Sequence, residues 1–138
     1  MTKRLKKRRG TQGQNIKPPH PESGYDNLGH PVFCFRHLHR RFNLRKIDDR
    51  EKSKLISKLH DYSKMSWHDI THSPRHGRGS EKISQSSIKA GIPPHVTPDV
   101  QFHALRYFDN KPIVGYRTGV IFHIVYIDYN RTLYDHGR

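Results

Sequence analysis

Residues 120–128 constrain the fold more than any other part of this chain. In an extended strand, successive side chains point to opposite faces of the sheet. That alternation divides the stretch into Val120, Phe122, Ile124 and Tyr126 on one face and Ile121, His123, Val125 and Ile127 on the other. Both faces are largely apolar, which is typical of a central strand that is covered on both sides. The sequence therefore predicts a sheet with a packed layer on each face.

The preceding residues supply neighbouring strands. Residues 100–108 and 113–117 alternate in the same way, and turns at 109–112 and 118–119 connect the three stretches. Such short connections favour an antiparallel meander, to which residues 132–135 add a possible fourth strand. A turn centred on Thr118 and Gly119 predicts that Arg117 pairs with Val120 and lies diagonal to His123.

Helical signals come earlier in the chain. Asp48 and Glu51 have the spacing of a capping box at the start of a helix over residues 48–65, and Ser66 begins a second short helix. Residues 80–90 predict a third helix with Ser80 at its N-cap, whereas residues 31–35 predict a buried strand or a docked extended segment. The predicted fold is α+β, with N-terminal helices packed on a C-terminal antiparallel sheet of three to four strands.

Charge separates the chain into two parts. The sequence of 138 residues has 26 Lys and Arg against 12 Asp and Glu, a formal net charge of +14. The first twenty residues contain no acid, and their like charges oppose collapse. We therefore expect a disordered basic tail and Pro-rich connector over residues 1–24, followed by a single α+β domain over residues 25–138.

This positive charge favours a polyanionic partner, and nucleic acid is the leading candidate. No apolar run is long enough for a membrane span, so no membrane association is expected. The single cysteine, Cys34, fits a reducing cytoplasm. Cys34, His37 and His39 suggest zinc, but four ligands are needed and no second cysteine is present. The sequence therefore predicts no metal site and no cofactor.

Several basic residues are candidates for holding phosphate. The polar loop SPRHGRG at residues 73–79 combines two glycines, whose backbone can approach a ligand closely, with two forked arginine donors. Another arginine falls on a predicted strand, and the tail supplies further cations. The predicted nucleic-acid-binding residues are Arg75, Arg78, Arg106, Lys3, Arg4, Lys6, Lys7, Arg8 and Arg9.

The predicted sheet and the residues after it also carry groups suited to acid–base chemistry. Metal-independent RNA cleavage needs a base for the ribose 2′-hydroxyl, an acid for the leaving oxygen and cations for the phosphate. The candidates for these catalytic roles are Arg117, His123, Tyr134 and His136. A histidine within a buried strand can equally be a packed core residue, so His123 has two readings.

The order of these C-terminal strands resembles the sheet of the RelE/ParE-like superfamily of small basic toxins. The resemblance covers about residues 48–138 and rests on a strand carrying Arg106, the segment Ile113-Val114-Gly115-Tyr116-Arg117, the long strand and Tyr134-Asp135-His136. That superfamily includes ribosome-dependent endoribonucleases that cleave mRNA and members directed at gyrase, so the resemblance implies a toxin of one of these kinds that an antitoxin neutralises. Arg117 then resembles the family's phosphate-binding arginine, and Tyr134 and His136 resemble a C-terminal catalytic pair.

Two other classes of function remain open at this point. The first is a non-enzymatic nucleic-acid-binding protein of phage or mobile-element origin, for which the tail and sheet form a cationic surface. The second is a protein–protein adaptor whose charge only keeps it soluble. The sequence alone does not decide whether the protein is an enzyme.

Overall fold

The computed structural model of the protein describes residues 27–73 and 80–136. The basic tail, Arg75 and Arg78 lie outside these described residues. Among the described residues, no helix is long and apolar enough to cross a membrane.

A five-stranded mixed sheet forms the centre of the fold. Its strands are β1 (Val32–Cys34), β2 (Ser80–Ile83), β3 (Phe102–Phe108), β4 (Lys111–Thr118) and β5 (Ile121–Ile127). They lie in the order β1-β5-β4-β3-β2, with β1 parallel to β5 and all other pairs antiparallel. The fold is α+β as predicted, but the expected sheet of three to four antiparallel strands was too small because β1 and β2 extend both edges.

Two of the three predicted helices are present. Helix α1 (Asp49–Ser63) begins at the N-cap Asp48, whose side chain accepts the Glu51 amide hydrogen at 2.8 Å. Helix α2 (Trp67–His72) begins at the N-cap Ser66. The Glu51 carboxylate does not complete a capping box. It accepts hydrogen bonds from the Tyr107 hydroxyl at 2.7 Å and from Lys111 at 3.0 Å, which ties α1 to the sheet.

The helix predicted over residues 80–90 was wrong. Ser80 begins β2 rather than capping a helix, and only a short 3-10 turn, Gln85–Ser87, follows. Pairing of Glu81 with Ala104 and of Ile83 with Phe102 provides the backbone hydrogen bonds that a helix would otherwise supply. Residues 132–135 form no strand, although the Leu133 carbonyl accepts the Lys89 amide hydrogen at 2.7 Å.

Both faces of the sheet are covered, as residues 120–128 predicted. On one face, which we call the helix face, Leu55, Trp67 and Ile70 pack against Phe122 and Ile124. The opposite face has a second core, which the segments after β2 and β5 cover. Its buried members include Ile83, Ile88, Phe102, Val114, Val125, Tyr126 and Leu133.

A β-bulge corrects the predicted alternation along β5. Val114 pairs with Tyr126, whereas the next residue, Gly115, pairs with Ile124, so Val125 is the extra residue. Tyr126 therefore lies on the face opposite Phe122, not on the same face as predicted. A Cβ atom on Gly115 would come within 1.9 Å of the His123 carbonyl oxygen, so a glycine is required beside this irregularity.

Candidate active site

A buried carboxylate holds a histidine at the C-terminal end of β5. Asp128 directly follows the strand and is completely buried. Its Oδ1 accepts the amide hydrogens of Thr132 at 2.9 Å and Leu133 at 3.1 Å, and its Oδ2 lies 2.7 Å from Nε2 of His136. Because a carboxylate accepts hydrogen bonds, Nε2 carries a proton and Nδ1 of neutral His136 is a potential proton acceptor.

The local sequence explains this arrangement. An aspartate at the end of a strand can accept amide hydrogens from the turn that follows it, and residues 128–133 form such a turn. Arg131 has a φ of 57°, in the left-handed region that non-glycine residues rarely adopt. Uncommon backbone conformations of this kind are found at functional sites when the surrounding structure fixes them. The turn places Arg131 and His136 in the lining of one pocket.

This pocket, which we call the His136 pocket, combines cationic, acidic and aromatic groups. Its two arginines are Arg106 on β3 and Arg131 in the turn after β5. The complete lining is Glu81, Ala104, Arg106, Asn110, Pro112, Arg131, Tyr134 and His136. Forked arginine donors beside a histidine suit a phosphate that reacts at the pocket.

Tyr134 packs directly on the histidine. Its ring is stacked on that of His136 with a centroid distance of 4.1 Å. Burial raises the pKa of Tyr134, and the negative charges of Glu81 and Asp128 raise it further. The phenol therefore keeps its proton near neutral pH, where it can donate a hydrogen bond and fix the plane of the imidazole.

His123 belongs to a different group at the other end of β5. Its ring stacks on Tyr116 at 4.7 Å, and its Nε2 lies 3.1 Å from the Thr118 hydroxyl. The Tyr116 hydroxyl lies 2.6 Å from Nε2 of His95, whose ring is 4.1 Å from that of His37. We call His37, His95, His123 and Tyr116 the His123 cluster.

The pKa values of two members of the His123 cluster, His123 and His37, are lowered, which favours their neutral imidazoles. Burial lowers the pKa of His123, and the nearby His37 and His95 lower it further. The pKa of His37 is lowered by the same kinds of effect, with burial again the largest cause. Nδ1 of His123 is buried and has no hydrogen-bond partner among the described residues.

Arg117 lies on the opposite side of the sheet from both histidine sites. Its guanidinium lies over the Trp67 ring at 4.3 Å, and it donates to the Gly119 carbonyl at 3.1 Å and to Asn27 at 3.2 Å. The structure therefore brings Arg106, Tyr134 and His136 together, but it does not bring Arg117 or His123 to them.

The turn between β4 and β5 explains the wrong register for Arg117. The loop consists of Gly119, with φ of 62°, and Val120, so it lies one residue later than predicted. A positive φ at the first loop position is the requirement of a type II′ hairpin. Arg117 consequently pairs with Phe122 instead of Val120, and Tyr116 pairs with His123.

The three residues of the zinc hypothesis do not form a common metal site. Cys34 pairs through its backbone with His123, His37 joins the His123 cluster, and His39 packs on Phe42 and Tyr126. Within residues 27–73 and 80–136, no group of three metal-ligating side chains is arranged to hold a metal ion.

Sequence reasoning missed two residues of the candidate site: Asp128, which holds His136, and Arg131, which lines the pocket. Asp128 and Arg131 were visible only as an acid that ends the strongest strand and a cation in the turn after it. Comparisons with protein-family models, curated proteins and solved structures found no match to this chain. The resemblance to RelE-like toxins therefore stays a prediction, and the His136 pocket is the structural basis for a functional proposal.

Proposed function

We propose that the protein is a metal-independent endoribonuclease whose active site is the His136 pocket. One observation carries this proposal: the buried Asp128 carboxylate fixes the His136 ring in a pocket that Arg106 and Arg131 also line. A positioned imidazole beside two arginines supplies the base and the cations that cleavage by the ribose 2′-hydroxyl needs, and water supplies the acid.

The proposed reaction assigns a role to each group. Nδ1 of His136 takes the proton of the 2′-hydroxyl, and the resulting oxygen attacks the adjacent phosphorus. The bond from phosphorus to the 5′ oxygen of the next nucleotide breaks, and that oxygen takes a proton from water. The hydroxide that remains takes the proton held on His136, which restores the neutral imidazole. Arg106 and Arg131 stabilise the charge that develops on the phosphate, while Asp128 and Tyr134 position the imidazole. The products are a 2′,3′-cyclic phosphate and a 5′-hydroxyl.

The wider biological setting is also part of the proposal. The resemblance to RelE-like toxins suggests mRNA on the ribosome as the substrate, an antitoxin as a protein partner and the cytoplasm as the location. The charge of +14 favours a second candidate, a protein that binds nucleic acid without cutting it. The two candidates differ in one observable: whether phosphodiester bonds are broken.

The test is to incubate the full-length protein with mRNA in EDTA, with and without ribosomes, and to map the RNA ends. We expect 2′,3′-cyclic phosphate or 3′-phosphate ends. His136→Gln should slow cleavage by about 10²- to 10⁴-fold because it removes the general base. The matched control is His123→Gln, which changes a histidine outside the pocket and should leave the rate within a few-fold.

Other outcomes have defined meanings. Intact RNA that is retarded on a gel at low salt supports the non-enzymatic binder. The absence of both cleavage and binding leaves the protein–protein adaptor. Equal loss of cleavage in the two histidine variants would contradict the assignment of the active site to the His136 pocket.

A further inference from the structure

The segment 36–46 carries a concentrated positive charge that the proposed active site does not use. We call it the basic segment. It follows β1 and contains no acid and five cationic residues, which are Arg36, Arg40, Arg41, Arg45 and Lys46. All five are exposed. Within the described part of the chain, none of them forms a salt bridge.

The backbone of the basic segment is fixed along β5. The His39 amide donates to the Val125 carbonyl at 2.6 Å, and the Phe42 carbonyl accepts the Ile127 amide hydrogen at 2.7 Å. Asn43 caps a 3-10 turn, Leu44–Lys46, by accepting the Arg45 amide hydrogen at 2.9 Å. The arginines therefore project from a fixed backbone, and ordering them on a ligand costs less conformational entropy than it would on a free tail.

The apolar residues of the segment point inward between the cations. The Phe42 ring packs against Tyr126 and Tyr129, and Leu38 and Leu44 pack against the core on the helix face. A membrane-surface anchor instead exposes its apolar side chains so that they enter the lipid interface. This inward packing favours nucleic acid over an anionic membrane as the polyanion that the segment recognises.

A depression in the surface adds shape to this charge. It is open, measures about 390 Å³ and is lined by Leu38, Arg40, Asn43, Leu44 and Arg45. Apolar side chains with arginines beside them suit a nucleotide, whose base packs while its phosphate is held by forked donors. The Phe42–Ile127 hydrogen bond immediately precedes Asp128, so the basic segment runs to the same end of β5 as the His136 pocket.

We propose that the basic segment binds the backbone phosphates of single-stranded RNA and so holds the strand that the His136 pocket cleaves. This inference rests on the proposed function and names a substrate-binding surface for it. It differs from the predicted binding residues, because the cations come from a loop fixed on the sheet and not from the N-terminal tail.

The test measures RNA binding in a full-length protein that carries His136→Gln, which keeps the RNA intact. Fluorescence anisotropy of a labelled single-stranded RNA is recorded from 50 to 300 mM salt, with and without Arg40→Gln, Arg41→Gln and Arg45→Gln together. Each lost phosphate contact lowers the slope of log K against log salt by about 0.7. We expect the triple variant to reduce the slope by about 2 and to weaken binding at least tenfold at low salt.

The matched control removes the same charge elsewhere. Its substitutions are Lys52→Gln and Lys54→Gln on α1 and Lys64→Gln at the C-cap of α1, a helix that packs on the helix face of the sheet. This triple variant should change the slope by less than 1. Equal changes in the two triple variants would overturn the inference, since net charge alone would then explain binding. Circular dichroism verifies folding, and the single variant Arg40→Glu repeats the test if the triple variant unfolds.

Two further measurements distinguish this inference from binding of free phosphate or of a membrane, and from the proposed reaction. Inorganic phosphate at millimolar concentration should compete only weakly, and phosphatidylserine vesicles should not bind; strong binding of either contradicts recognition of a strand. Cleavage is measured separately in the protein with His136 intact. If the triple variant changes the salt slope but the protein with His136 intact does not cleave RNA, the proposed reaction is wrong and the binding surface stands. If the protein cleaves RNA but the salt slope does not change, only the binding surface is wrong.

Discussion

The two histidine sites lie on one face of the sheet at opposite ends of β5, and their partners differ. His136 is bonded to the carboxylate of Asp128, which is buried and also holds two backbone amides. His123 is surrounded by Tyr116, Thr118 and other imidazoles. The first environment orients a base beside two arginines, while the second keeps neutral rings packed together.

This difference shows why a histidine count is a poor guide to catalysis. Both residues occur among the C-terminal strands or just after them, and both have the residue type that proton transfer needs. The neighbours decide the chemistry: a buried carboxylate fixes the tautomer of one ring, and burial lowers the pKa of the other. Residue type alone therefore does not distinguish the two histidines, whereas their hydrogen-bond partners and their burial do.

We expect the largest effect from Asp128→Asn, which gives His136 a neutral hydrogen-bond partner like those of His123. The amide no longer fixes the tautomer, so we expect cleavage to fall by about 10²- to 10⁴-fold. Single-turnover RNA cleavage in EDTA measures the effect. The matched control is Thr118→Val, which removes the hydroxyl beside Nε2 of His123. If Thr118→Val slows cleavage as much as Asp128→Asn, the two sites have been assigned the wrong way round.

A second change disrupts the sheet beside His123. In Gly115→Ala the new Cβ meets the His123 carbonyl oxygen, which belongs to the backbone and cannot move aside cheaply. We expect the free energy of unfolding to fall by about 3 kcal/mol, measured by urea denaturation. In Gly91→Ala nothing lies within 4 Å of the new atom, so stability should stay within about 0.5 kcal/mol of the original. Similar values for the two variants would contradict the close approach at the bulge.

A smaller effect concerns stability against pH. Burial, together with the positive charges of Arg117 and Lys82, lowers the pKa of His103 to about 4. As pH falls below about 6.5, the unfolded chain takes up this proton first. Stability is therefore fully present above pH 6.5 and is lost as pH falls towards 4. Urea denaturation should show a loss of about 2 kcal/mol between pH 7.5 and pH 5 from this residue.

The same titration sharpens the comparison of the two sites. His103→Gln should reduce the acid sensitivity, and His123→Gln should reduce it further because burial lowers the pKa of His123 in the same direction. If His103→Gln leaves the pH dependence unchanged, His103 does not have the lowered pKa on which this expectation depends.

Local signals in the sequence predicted much of this fold. The N-cap Asp48 and the central strand that is covered on both faces were each confirmed, because short-range hydrogen bonding and periodicity decide them. The parallel pairing of β1 with β5 depends on contacts between distant parts of the chain. The same is true of β2, whose sequence also fitted a helix until its pairing with β3 was known.

Only part of the candidate site was predicted, because the rest depends on how the strands pair and on how the turn after β5 folds. Tyr134 and His136 are two positions apart, and their shared location follows from chain proximity together with Arg106 on a nearby strand. Arg117 does not join them because its side chain lies on the helix face, over Trp67. The one-residue shift of the turn moved its partner on β5 by two positions, from Val120 to Phe122, which leaves that face unchanged. Asp128 was missed because its role requires the turn after β5 to fold back onto its carboxylate.

The pairing of β1 with β5 also affects how the protein is made. The ribosome synthesises Val32 early, but its partner Ile121 emerges only after the helices and three other strands. Closing such a long loop is slow, and the hairpins that join β3, β4 and β5 form from local contacts first. The edge strand and the cations that follow it therefore reach their places late in folding, once β5 offers a surface on which to align.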